Sequence, residues 1–440
     1  MDDGRAKLGS HAVVLGASMA GLLAARALAD SFERVTVLER DALADDAAPR
    51  KGVPQGRHVH NLLARGDALL DVMFPGLLDD LADAGAVRLD WSKDVRWHHH
   101  GVWKGRFETG VCSYLMSRPL LEATVRRHLQ RRSNVTIKDG CAVEGLRTTS
   151  GRVDGVELRD APTLACDFVV DCSGRRSVLA RWLRDHGSEP TASEIHADVV
   201  YATRVMRRPP GEPTFKVLAQ VPPPPDKRAA VSFAIEDGQW MVTLFGYHGH
   251  HPGGDEDSWL AHARGLAQPD TLALIEAAEP LSEITTFKYP FSLRRHWGRH
   301  RACPAGVVAL GDSVCSFNPI YGQGMTSAAL QVETLRSALS ECGSLAALDE
   351  RLDGLRRGLD RVVEGPWQAV ASEDFRHAET TGDRSRAAGI INWYTRRLHR
   401  MTASDARVAA RFLAVMHMQR EVTSLFDPRT VLAVAMGRGA

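Results

Sequence analysis

One stretch constrains this chain more than any other: HAVVLGASMAGLLAARALADSFERVTVLERD, His11–Asp41. It reads as a strand (His11–Leu15), a tight glycine turn, a helix with small apolar faces, a second strand (Arg34–Leu38), and the pair Glu39-Arg40. Valine-rich runs without polar alternation suit strands covered on both faces. Gly16 permits the tight turn, and Gly21 lets the helix lie close against the strand. Ala17, Met19 and Ala20 present backbone amides at the helix N-terminus, where unsatisfied N–H groups and the helix dipole favour a pyrophosphate. Position 18 is glycine in the usual fingerprint. Ser18 departs from it but adds a hydroxyl able to bond a phosphate oxygen. Glu39 follows about 20 residues later, where a carboxylate accepts from ribose hydroxyls and repels a 2′-phosphate. A core turn that merely prefers small residues would leave Glu39 unexplained.

The chain has 440 residues, 44% hydrophobic and 25% charged, enough for two or three domains of roughly 150 residues each. A net charge of +1 gives no bulk attraction to nucleic acid or acidic lipid. The seven cysteines form no two-residue-gap pair, and no signal-peptide pattern opens the chain. Reduced thiols and a cytoplasmic location are therefore expected. No apolar run reaches about 18 residues, so no membrane span is expected. The basic run RRHWGRHR, Arg294–Arg301, reads as a solvated face rather than a phosphate site. In WHHH, Trp97–His100, neighbouring histidines diverge on a strand or a helix, so no metal site is expected.

A second junction lies far downstream: GVVALGDSVCSFNPIYGQGMTSAALQVETL, Gly306–Leu335. A strand ends at Gly311-Asp312, a proline-containing loop follows, and Gly322-Gln323-Gly324 opens an alanine-rich helix at Met325. Two helix N-termini with glycine-exposed amides suit a long, anionic, two-ended ligand.

Together GASMAG…LER and LGDSVCSFNPIYGQGM resemble the single-component FAD-dependent monooxygenases of the para-hydroxybenzoate-hydroxylase-like class. The resemblance is nearest to bacterial natural-product epoxidases and hydroxylases related to squalene epoxidase. It implies an α/β (α+β) fold: a Rossmann-like FAD-binding domain, an inserted substrate-binding sheet, and a C-terminal helical region. It places the ADP half of FAD on Gly16–Gly21 with Glu39 and Arg40. Asp312 of the Gly311-Asp312 pair would hold ribityl or ribose hydroxyls, and Pro319, Gly322, Gln323, Gly324 and Met325 would lie along the flavin ring. Arg50 and Gln55 in RKGVPQGRHVH, and Arg118 in SRPLLEATVRRHL, match two further cofactor-contacting segments. The segment VVDCSGRRSVLARWL departs from the pattern. Ser173 stands where the family often has aspartate, with Asp171 two residues earlier, which leaves NAD(P)H binding open. The Trp-x-Trp-x-Ile-Pro stretch of tryptophan-halogenase relatives is absent.

The expected organisation is a discontinuous FAD-binding domain, 1–190 and 300–340, a substrate-binding sheet, 191–299, and a helical region, 341–440. Asp237-Gly238 between two apolar runs signals a hairpin. Tyr201, Phe233, Phe245 and Tyr247 are candidate pocket walls, and for each a place in the sheet's own core is an equal reading. Met416-His417-Met418 could line a pocket mouth, although core filling is the plainer reading. No acid–base residue stands out. His58 and His60 are the candidates, with orientation of FAD the simpler role. The resemblance implies FAD reduced by NAD(P)H and transfer of one oxygen atom to a large apolar, polyketide-like intermediate by a monomer or homodimer. A non-redox cyclase on the same scaffold is the alternative.

Overall fold

The computed structural model describes residues 6–44, 47–50, 52–211, 213–384 and 388–436. Its first layer is a five-stranded sheet. In spatial order the strands are Val307–Ala309, Phe168–Asp171, Gly9–Leu15, Phe32–Leu38 and Val135–Lys138. All neighbours run parallel, with Val13 opposite both Val169 and Thr36. The expected α/β architecture is therefore present. Its central strand is buried on both faces, as the unalternating valines require. Helix Met19–Ala29 buries Ala24, Ala25, Ala27 and Ala29 and packs against helix Gly324–Ser340. Small residues let the two helices approach closely, so the two distant glycine junctions become neighbours.

The second layer is an eight-stranded sheet built around Val199–Arg207, which pairs antiparallel with Gln239–Tyr247 and with Thr285–Tyr289. Arg228–Ile235 and Val217–Val221 extend it, and Val95–His99 joins in parallel from far upstream. At the expected hairpin, Asp237 and Gly238 have φ of 57° and 63°, the left-handed pair that matches the twist of the strands. Helices Glu256–Arg264 and Asp270–Ala277 cover one face of this sheet, burying Trp259 beside Trp240. The sequence reading had only strands and turns here. The signal was Asp255, whose side chain caps the first helix by accepting from Ser258 N at 2.9 Å.

The tail is helical as expected, with helices Leu345–Asp374, Ala388–Met401, Ala406–Met416 and Pro428–Met436. The first runs 30 residues and carries Pro366. Its early turns bury Leu348, Leu352 and Leu355 against the Rossmann-type layer, and its end delivers Glu373 and Asp374 to the second sheet. The run Arg294–Arg301 is not a solvated face throughout. Arg294 is buried and pairs with Glu364 at 2.6 Å, while Arg301 is exposed and pairs with Asp353. None of the seven cysteines forms a disulfide. No helix among the described residues is long and apolar enough to cross a membrane.

Candidate functional site

The first glycine turn is sterically compulsory. Gly16 has φ of 98°, and a Cβ on it would lie 2.6 Å from Cys172 O; a Cβ on Gly21 would lie 1.8 Å from Gly16 O. The turn then delivers helix Met19–Ala29 with no side-chain cap at Ser18, so its first N–H groups stay available to a ligand. Ser18 itself differs from expectation. Its hydroxyl donates to Glu122 Oε1 at 2.6 Å and accepts from Arg118 Nη2 at 2.7 Å, so it is committed within the protein.

Ser18 belongs to a charged hub. Arg118 Nε donates to Glu122 Oε1 at 2.7 Å, and Arg50 bridges Glu122 Oε2 at 3.3 Å and Glu39 Oε2 at 2.8 Å. Glu39 also accepts from Ala17 N at 2.8 Å, tying the strand end to the turn. Glu39, expected to meet ribose hydroxyls, has Arg50 and the turn as its partners within the protein. Glu122 was missed, although its spacing four residues after Arg118 on one helix face was a signal. Arg40 is exposed, 3.8 Å from Asp41.

Asp171 is also corrected. It is fully buried, and its carboxylate accepts from Ser173 N, Ser173 Oγ, Ser177 Oγ and Leu179 N, fastening the loop after the strand rather than facing a ligand. Asp312 is the opposite case. Among the described residues its carboxylate takes no hydrogen bond, and desolvation pushes its pKa up against the pull of Arg118 and Arg175. Gly311 before it has φ of 64°, and a Cβ there would meet Ala20 Cβ at 2.6 Å, so the two glycine junctions touch at this point.

The second junction opens onto a cavity of about 1280 Å³. Gly322 has φ of 63°, and a Cβ built on Gly324 meets nothing within 4 Å. Helix Gly324–Ser340 has no side-chain cap. Met325 is buried beneath the loop. Pro319, Gly322, Gln323, Gln55, His58 and His60 line this end of the cavity. Three buried polar atoms here, Gln323 Oε1, Asn61 Oδ1 and His58 Nε2, have no hydrogen-bond partner among the described residues. Buried polar atoms are ordinarily partnered, so this group marks a place that a polar ligand edge completes. His58 Nδ1 lies 2.7 Å from Thr203 Oγ1. Burial, with Arg57 adding to it, lowers His58 to about 4; burial and then Arg118 lower His60 to about 3. Both rings are therefore neutral at neutral pH.

Of the expected walls, Tyr201, Phe233 and Tyr247 line the cavity. Phe245 does not. It is fully buried between Tyr201 and Tyr247, with ring centroids 5.8 and 6.1 Å away. Met416 and Met418 line the cavity, as do Trp97, Leu398 and Phe412, and Met416 also packs against the core beneath it. These last walls were missed because the C-terminal helices fold back over the sheet. His99 and His100 also break expectation. His100 has φ of 52°, which turns its ring toward that of His99, 4.4 Å away between centroids.

The fold is one shared with solved flavin-dependent monooxygenases and halogenases. The chain is similar to flavin-dependent brominase Bmp2 with a TM-score of 0.71 at 13% identity, covering 97% of this chain and 98% of that one. It is similar to PqsL, a probable FAD-dependent monooxygenase from Pseudomonas aeruginosa, with a TM-score of 0.62 at 17% identity, covering 84% of this chain and 97% of that one. The tryptophan halogenase family model matches residues 105–222. In sequence, the chain is 35% identical over 386 residues to protein Rv3254 of Mycobacterium tuberculosis, covering 84% of this chain and 81% of that protein. The chain belongs to the family of protein Rv3254.

Proposed function

We propose that this protein is an FAD-dependent monooxygenase that inserts one oxygen atom, by epoxidation or hydroxylation, into a large and mostly apolar polyketide-like intermediate. The observation that carries the reading is the cavity of about 1280 Å³ running from the Gly322–Gln323 loop to the apolar wall of Trp97, Phe233 and Phe412. The residues fit FAD at the loop end. Amides of the Gly16–Gly21 turn and the uncapped N-terminus of Met19–Ala29 would hold the pyrophosphate. Asp312 would accept from ribityl hydroxyls. The uncapped N-terminus of Gly324–Ser340, with Gln323, Asn61 and His58, would meet the ring's polar edge. Bound there and reduced by NAD(P)H, FAD supplies the activation of dioxygen.

The chain's own residues do the rest. The apolar walls hold the substrate by burial and keep water from the reacting end. His58, neutral and bound through Nδ1 to Thr203, presents Nε2 as a fixed hydrogen-bonding atom. Tyr321 lines the cavity and donates to Asp374 Oδ1 at 2.7 Å, so a proton held on that carboxyl sits directly behind the flavin-facing loop.

The purified enzyme should release FAD on acid precipitation, and should consume NAD(P)H faster when polyene and polyketide substrates are offered. Label from ¹⁸O₂ in the product supports the reading. An isomeric, unlabelled product formed equally well without oxygen would establish the cyclase instead. The tryptophan halogenase match over 105–222 favours one second reading, halogenation. Bromide in the same assay tests it through brominated product.

A further inference from the structure

We propose that His99, His100, His399 and Glu373 form a site for a divalent transition-metal ion of the Zn²⁺, Co²⁺ or Ni²⁺ class in the cavity wall. The backbone creates the convergence. Strand Val95–His99 would send neighbouring side chains to opposite faces, but it ends at His99, and His100 takes φ of 52°. Helix Ala388–Met401 then brings His399 onto the pair. The ring centroids lie 4.4 Å (His99–His100), 4.6 Å (His99–His399) and 4.2 Å (His100–His399) apart. One ring nitrogen from each lies within 4.8 Å of the others.

Nothing among the described residues explains this packing as a hydrogen-bonded cluster. No hydrogen bond joins any two of the three rings. His99 is buried, at 7% exposure, with neither of its nitrogens partnered. An orphaned buried polar atom is costly unless something completes it. Glu373 faces the same point, with Oε2 3.9 Å from His99 Nε2 and Oε1 3.9 Å from His100 Nε2. Those separations are too long for hydrogen bonds. Two ligands at about 2.1 Å on a tetrahedral ion stand about 3.4 Å apart, so closure on a metal draws the Glu373 pairs in by about half an ångström and the widest histidine pair by up to about 1.4 Å. Three imidazoles with one carboxylate suit a borderline-soft divalent ion.

Two cations adjoin the site from outside. Lys104 Nζ lies 2.9 Å from His399 Nδ1, so an ion at that ring competes with the ammonium for the Nδ1 lone pair. Arg376 Nη1 donates to Glu373 Oε2 at 2.7 Å and lies 3.4 Å from His100 Nε2. Neither takes a ring N–H as the outer partners of metal sites do, so an ion gains these ligands by displacing both donors from the ring nitrogens. His99, His399 and Glu373 all line the cavity, so a ligand from its occupant reaches the ion as a fifth donor when the ion expands to five-coordination. That position would take a chelating oxygen, such as that of an enolised dicarbonyl or an ortho-hydroxyketone. The metal site stands independently of the flavin reading.

The test is equilibrium dialysis of the full-length, chelator-stripped protein against Zn²⁺, with metal analysis, for wild type, His99→Ala, His399→Ala, Glu373→Gln and His98→Ala. His98 packs against Trp103 and serves as the control. Wild type and His98→Ala should hold one Zn²⁺ per chain. Each of the other three should bind at least about tenfold more weakly with unchanged circular dichroism. If His399→Ala fails to fold, Glu373→Gln and His99→Ala decide. No saturable stoichiometric Zn²⁺ on wild type, or equal binding by His99→Ala and Glu373→Gln, overturns the proposal.

Discussion

Tyr321 Oη donates to Asp374 Oδ1 at 2.7 Å, and Asn318 Nδ2 donates to the same oxygen at 3.0 Å, while Oδ2 has no partner among the described residues. Asp374 is fully buried, and desolvation, aided by the charge of Glu373, raises its carboxyl to about 7 against those hydrogen bonds. This acid sits behind the loop that begins at Pro319.

Asp374 makes stability fall as pH rises. The unfolded chain loses this proton near pH 4, whereas the folded chain keeps it to about 7. The folded state is therefore favoured below about 4, and that advantage is lost progressively up to about 7. Over that window the effect is at most about 4 kcal/mol. Asp374→Asn keeps an acceptor for Tyr321 without the titration. Wild type should lose denaturation midpoint relative to Asp374→Asn between pH 4 and 7. Parallel midpoint–pH curves would refute the assignment.

His417 acts in the opposite direction. Burial lowers it to about 3; its ring lies 4.7 Å from Trp91, and its Nδ1 accepts from Ala64 N at 3.2 Å. The unfolded histidine titrates near 6.5. The stability it gives is complete above that pH and is lost as pH falls toward about 3. His417→Gln, which keeps an acceptor for Ala64, should show a shallower acid loss of stability than wild type in urea titrations at stepped pH.

Asp312 and Glu39 should separate in their effects. Asp312→Ala removes an acceptor with no hydrogen bond among the described residues, so FAD affinity should fall about ten- to a hundredfold with little change in the apoprotein's melting temperature. Glu39→Gln weakens the tie among Arg50, Ala17 N and the strand end, so it should lower apoprotein stability by roughly 1–3 kcal/mol as well. Fluorescence of released flavin and thermal melts of the apoproteins distinguish the two.

Ala219 lines the cavity on strand Val217–Val221. Ala219→Trp should fill the wall, leave FAD content unchanged, and raise KM for a large substrate by at least tenfold. Unaltered kinetics would place the substrate elsewhere.

The Gly16–Gly21 turn and the second glycine junction were legible because their constraints are local: a positive φ or a Cβ clash excludes other residues wherever the chain folds this way. The Asp237-Gly238 hairpin was legible for the same reason. The resemblance assigned Asp312 to the cofactor, but only the fold shows that it takes no hydrogen bond among the described residues while Glu39 and Asp171 are committed. Those three carboxylates look alike in sequence. Their difference lies in Arg50, which arrives from a loop, and in Ser177 and Leu179, which close over Asp171.

Sequence alone determined that the chain carries a Rossmann-type glycine turn, a second glycine-led helix and a strand-rich insert, because backbone sterics and hydrophobic period act over a few residues. Tertiary structure decided the cavity and its chemistry. The C-terminal helices fold over the inserted sheet to bring Phe412, His399 and Met416 opposite Trp97 and Phe233. One left-handed residue, His100, turns a histidine run into a converging cluster. Such contacts join positions some 300 residues apart, and only packing of the whole chain specifies them.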